Sequence, residues 1–116
     1  MKRILAIVPD LLIETRIEGA ARALEATVEA VSSQEARERI ASISPALVIV
    51  DIAAAGLDLE AIASTARNGR IRLAGFYPHV DVALRRAAKQ AGIDHVYPRS
   101  RFLRELPAIL REGLQE

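Results

Sequence analysis

Apolar and polar residues fall along this chain in blocks whose period changes at short, regular intervals. The clearest block is Ala46-Leu47-Val48-Ile49-Val50-Asp51-Ile52. It carries an unbroken apolar run instead of an apolar/polar alternation, which marks a strand buried on both faces. Ile4–Val8 has the same character, and Thr27–Val31, Arg72–Phe76 and His95–Tyr97 read as shorter strands. The segments between them follow helical period. In Leu11–Leu24 the apolar positions Leu12, Ile13, Ile17, Ala20, Ala21 and Leu24 share one side, while Glu14, Arg16, Glu18, Arg22 and Glu25 occupy the others. Asp10 stands where an N-cap belongs. Ser32 with Glu35 forms a capping-box pattern that predicts a helix over Ser33–Ala41. Asp58 caps a helix running to about Arg67, and Asn68-Gly69 is a turn. Pro78-His79 leads into a helix over Val80–Ala91 with Gly92 as its C′ residue. Ser100 is the expected cap of a last helix that Pro107 either kinks or restarts.

Strand and helix thus alternate five times through short connections. That order predicts an α/β fold: a doubly wound, five-stranded parallel sheet with helices on both faces. With 116 residues and no linker, repeat or low-complexity stretch, the reading is one domain over 1–116.

Composition narrows the chemistry. The chain has no cysteine, which excludes a disulfide framework and a thiolate zinc site and accords with a cytoplasmic location. No apolar stretch has membrane-spanning length, and Pro9-Asp10 ends the first apolar run too early for a signal peptide. Net charge is +1 but unevenly spread. Residues 1–66 hold six basic and ten acidic side chains, net −4, whereas 67–104 hold nine basic and two acidic, net +7. Such a basic third can steer an acidic partner, and it is equally the pattern of an ordinary solvated helix surface. Nucleic acid is a poor expectation, because two Phe, two Tyr and no Trp leave little for base stacking. The segment Ile7-Val8-Pro9-Asp10-Leu11 lacks any glycine, against a dinucleotide or P-loop site. Gly-x-Ser-x-Gly is absent, and His79 and His95 lack metal-ligand spacing.

Asp51 is the leading candidate for a working residue, since a central parallel strand delivers its last side chain to the carboxyl edge, where ligands of such sheets gather. A capping or solvent-facing aspartate is the plainer alternative. Asp10 ends the first strand at the same edge, and two hard oxygen ligands suit Mg²⁺ with water or phosphate completing its shell. Arg99 follows the fifth strand and can hold an anion bidentately. Ala53-Ala54-Ala55-Gly56 is small enough for backbone amides to approach a ligand.

Over nearly its full length the chain resembles a response-regulator receiver (CheY-like) domain, the phospho-acceptor module of two-component signalling. The resemblance rests on Ile4–Asp10, on Pro45–Ile52, and on a gapless register from Tyr77-Pro78-His79-Val80-Asp81 through Ala91-Gly92 to Arg99. It implies the flavodoxin-like strand order 2-1-3-4-5, Asp51 as the acceptor, and Asp10 with Asp51 as Mg²⁺ ligands. It places the phosphoryl-contacting hydroxyl on Tyr77 (Gly75 if the register slips by two) and the contacting cation on Arg99.

Several of those positions depart from the family. Pro9 replaces one acidic residue, Tyr77 a Thr or Ser, Arg99 a Lys, Ser100 a Pro, and Ala54-Ala55 a Met-Pro pair. The resemblance is to an atypical receiver or pseudo-receiver. The expectation is a stand-alone module acting by protein–protein contact, with phosphorylation weak or absent and no cofactor. The alternative is Mg²⁺-dependent phosphorylation on Asp51. A protein partner, or a second copy, would meet the face of the fourth helix, fifth strand and fifth helix, with Arg85, Arg86, Lys89, Arg101 and Arg104.

Overall fold

The computed structural model describes residues 1–78, 81–93 and 95–115. Its elements follow in the order β1 (Lys2–Ile7), α1 (Leu11–Ala23), β2 (Ala26–Ala30), α2 (Ala36–Ile43), β3 (Leu47–Asp51), α3 (Leu59–Asn68), β4 (Arg72–Tyr77), α4 (Val82–Gln90), β5 (His95–Pro98), α5 (Arg99–Arg104) and α6 (Leu106–Gly113). The five strands form one parallel sheet in the order β2-β1-β3-β4-β5. This is the doubly wound topology that the alternation predicts.

β3 lies at the centre, and all five of its residues are buried. Its side chains alternate between two apolar layers. Leu47 and Ile49 join a cluster with Ile17 of α1, Phe102 of α5 and Leu106 and Leu110 of α6. Val48 and Val50 join a second with Ile40 of α2, Ile62 of α3 and Ala88 of α4. The chain's two phenylalanines stack in the first layer, Phe76 on Phe102, with ring centroids 4.7 Å apart. Strand boundaries spread beyond the apolar runs because ladder hydrogen bonds need no apolar side chain: Lys2 and Arg3 pair with Ala26 and Thr27.

Helix ends correct the expectations in three places. The Ser32–Glu35 capping box forms, with the Ser32 hydroxyl 3.0 Å from the Glu35 carboxylate and accepting the Glu35 amide at 3.3 Å. It closes a turn, however, and α2 starts only at Ala36 and runs on to Ile43. Ser100 does not cap the last helical segment. Pro98 is the N-cap of α5, Glu105 ends it, and a separate α6 restarts with Pro107 in its first turn, where a missing N–H costs nothing. α4 begins at Val82, capped by Asp81, whose carboxylate accepts the Leu84 amide at 3.1 Å. His79 and Val80, assigned above to the approach and start of that helix, lie outside the described residues.

Left-handed residues close several helices. Gly92 follows α4 with φ 95° as expected. After α3 the left-handed position falls not on Gly69, at φ −87°, but on Arg70, at φ 56°. A side chain in that region costs about 1 kcal/mol relative to glycine. At Gly92 the space is also taken: a Cβ there would collide with the Arg67 guanidinium, which donates to the Ala91 carbonyl at 3.0 Å. Gly92→Ala is therefore expected to cost about 2 kcal/mol or more, from the left-handed backbone and the displaced hydrogen bond together. Gly19→Ala in α1, where nothing lies within 4 Å of the added carbon, should instead stabilise. Urea unfolding checks both: the midpoint falls for the first and rises for the second, with an unchanged slope.

The carboxyl edge as a candidate functional site

β3 ends in Asp51, the one buried charged side chain among the described residues, at 8% exposure. Its register partner is Phe76. The carboxylate turns back on its own chain: Oδ1 accepts the Ala53 amide at 3.0 Å. Burial raises the Asp51 pKa from its ordinary value; the Ala53 N–H and the Arg99 charge pull it down again, and the Asp10 charge pushes it up. Desolvation outweighs the rest.

Asp10 is exposed and caps α1 as predicted, its Oδ1 accepting from the Leu12 and Ile13 amides at 2.9 and 3.1 Å. The structure thus gathers Asp10, Asp51 and Arg99 at one edge, near enough for the charges of Asp10 and Arg99 to act on Asp51. Arg99 opens α5, partly buried, and its Nε is buried with no hydrogen-bond partner among the described residues. Leaving such a donor unmade is costly, so Arg99 is held there by its surroundings and by Asp51's charge.

Tyr77 goes elsewhere. Strand alternation sends it to the opposite face of the sheet from Phe76, and it lies 5% exposed in the layer with Ala88, Ala91 and Ile93. The small-residue loop lends an amide to Asp51 itself. This contact was legible in principle, because aspartate favours an Asx turn two residues on.

The donor set tests the metal that the resemblance implies. Two carboxylates converge, each with one oxygen already accepting from backbone N–H groups. Among the described residues, no three acidic or histidine side chains gather to hold a metal ion. Mg²⁺ accepts so few protein ligands only when phosphate and water complete its octahedron. Asp10 and Asp51 therefore offer Mg²⁺ at most two side-chain ligands, and water or phosphate would have to supply the rest.

The other sequence-assigned residues lie along the edge of the sheet at β5. In α4, Val82, Arg85, Arg86 and Lys89 recur at helical spacing on one stripe, and all are exposed, Val82 by 59%. In α5, Arg101 lies 5.4 Å over the Tyr97 ring and pairs with Glu105 at 3.0 Å, while Arg104 reaches the same carboxylate at 3.7 Å. The α5 arginines are therefore partly neutralised within the chain, a compensation the summed charge of the segment concealed.

No protein-family model and no curated protein sequence matches the chain. Solved structures do. A response regulator from Hahella chejuensis aligns with a TM-score of 0.85 at 18% identity, over 99% of this chain and 96% of that one. A CheY-like receiver domain protein from Methanospirillum hungatei gives 0.81 at 19%, over 98% and 94%. The signal receiver domain of the putative response regulator NarL from Mycobacterium tuberculosis gives 0.78 at 19%, over 99% and 98%.

The chain has the receiver-domain fold. Within that fold Asp51 ends the third strand, and Asp10 lies three residues beyond the first, at the N-cap of α1. No helix among the described residues is long and apolar enough to cross a membrane.

The raised pKa of Asp51 carries a stability consequence. A carboxyl group that holds its proton more tightly when folded makes stability fall as pH rises from the unfolded value, 3.8, through the higher folded one. Above that window the full penalty is present, and below it none remains. Asp51→Asn, which keeps an acceptor for the Ala53 amide, is expected to be more stable than wild type at pH 7 and to lose that advantage below pH 3.8. Chemical denaturation of both proteins across this range checks it; an advantage that grows on acidification contradicts the assignment.

Proposed function

We propose that this receiver-fold chain is a signalling module that works through protein–protein contact, without a bound metal, with phosphoryl transfer to Asp51 weak or absent. One observation carries the reading: the carboxyl edge brings two carboxylates together and leaves Asp51 buried and bonded to its own chain, its pKa raised by burial. Building a phosphoryl group on a carboxylate requires cations and donors to neutralise the developing charge. Pro9 brings no ligand, Tyr77 is packed into an apolar layer, and Arg99 brings a planar guanidinium where a compact ammonium would concentrate its charge. Asp51 retains its place beside Arg99, which is the observation favouring the second reading, a phospho-acceptor assisted by Mg²⁺.

The partner surface in this proposal is the α4–β5–α5 face. Its α4 stripe is positively charged and exposed, and Val82 beside it supplies apolar area. Exposed ion pairs contribute less than about 1 kcal/mol each. Arg85 and Arg86 therefore steer an acidic protein surface, or a second copy of this chain, and apolar contact holds it. Sedimentation velocity at about 0.05 M and about 0.5 M salt, roughly 14 and 4 Å of screening length, tests the self-pairing form. Association should weaken at high salt and in Arg86→Glu. A strict monomer under both conditions excludes self-pairing, and equal capture of acidic proteins by wild type and Arg85→Glu/Arg86→Glu excludes the face altogether.

A further inference from the structure

The amino edge of the sheet, at the other end of the strands from Asp51, holds a basic groove of about 610 Å³. Lys2 and Arg3 stand on its β1 side, Arg70 and Arg72 on its β4 side, and Ser44 and Pro45 between them. Among its described lining residues none is acidic. β3 separates the two walls, so β1 and β4 run roughly 10 Å apart, two strand spacings.

Helix dipoles account for part of this charge. Arg72 donates to the Glu112 and Gly113 carbonyls at 2.9 and 3.4 Å, and Lys2 to that of Leu114, at the C-terminal end of α6. They do not account for Arg3 and Arg70, which are exposed and in no ion pair among the described residues. Arg70 further occupies the left-handed position that Gly69, one residue earlier, would have filled without strain.

Arg72 also lines an adjoining cavity of about 260 Å³ of different character. Leu47, Ala74, Tyr97 and Ile109 give it apolar walls, and His95 and Glu112 give it polar ones. Charge therefore runs in one direction along the edge, from Glu112 past Arg72 to Arg70 and Arg3. A ligand that fits is anionic at one end and a compact polar ring at the other.

We propose that the amino edge binds a nucleoside polyphosphate, with its phosphates in the groove between Arg3 and Arg70, its nucleoside in the cavity beside Tyr97, and Arg72 at the junction. Glu112 repels the phosphates from the cavity and accepts from ribose hydroxyls or ring amino groups. The site owes nothing to Asp51 and stands whether or not Asp51 is phosphorylated.

Calorimetric titration of the whole chain tests the proposal, with ATP, GTP, inorganic tripolyphosphate and adenosine as probes at low salt. One of the two nucleotides should bind at least about tenfold more tightly than tripolyphosphate, and adenosine alone should give no measurable heat. Arg70→Gly removes a charged contact while relieving the left-handed strain. It should lose about tenfold or more in affinity for the nucleotide and for tripolyphosphate alike, yet unfold at a higher urea concentration than wild type. Asp51→Asn should bind as wild type does. The proposal is overturned if neither nucleotide binds, if tripolyphosphate binds as well as both, if Arg70→Gly keeps full affinity, or if Asp51→Asn loses it.

Discussion

β3 imposes the constraint on which the rest of this structure depends. Leu47, Val48, Ile49 and Val50 are all within 1% of complete burial, on alternating faces. Each contributes about 1.5–3 kcal/mol only if its own face is covered. One strand therefore demands two layers, α1, α5 and α6 on one side and α2, α3 and α4 on the other. Parallel neighbours with helical crossovers supply both. The same strand then carries Asp51 to the edge of a dry interior, where a charge is expensive and must borrow what neutralisation it can, from one backbone amide and from Arg99.

The two ends of the sheet have diverged in character. At the carboxyl edge, negative charge is buried and sparingly compensated, a poor arrangement for adding more of it. At the amino edge, cations accumulate around the ends of helices and exceed what the helix dipoles use. A receiver fold with these two edges also carries an exposed cationic stripe on α4.

Much of the fold was legible in the sequence because it rests on periodicity. The five βα alternations give the parallel doubly wound sheet, its order is what the resemblance implied, and the Asp10 and Asp58 caps are local signals that the structure repeats. The failures are tertiary. The Ser32–Glu35 box forms where predicted, but α2 begins only where Ala36 and Ile40 can reach the core. Gly69 suggested the turn, yet the hydrogen bond from the Ile71 amide to the Ala66 carbonyl sets the left-handed residue one place later, on Arg70. At the candidate site, sequence spacing brought Asp10, Asp51 and Arg99 to one edge correctly. It could not show that Ala53 occupies an Asp51 oxygen, that Tyr77 is committed to packing, or that Glu105 offsets Arg101 and Arg104, since each depends on side-chain direction in three dimensions.

The central claim is that Asp51 sits in a receiver scaffold without the surroundings that make it an effective acceptor. Incubating the protein with a small phosphodonor and Mg²⁺, and weighing it intact beside Asp51→Asn and a fully competent receiver treated in parallel, addresses this most directly. The account predicts little or no phosphate adduct on the wild-type chain while the competent receiver is modified. A near-stoichiometric adduct that requires Mg²⁺ and disappears in Asp51→Asn would contradict it.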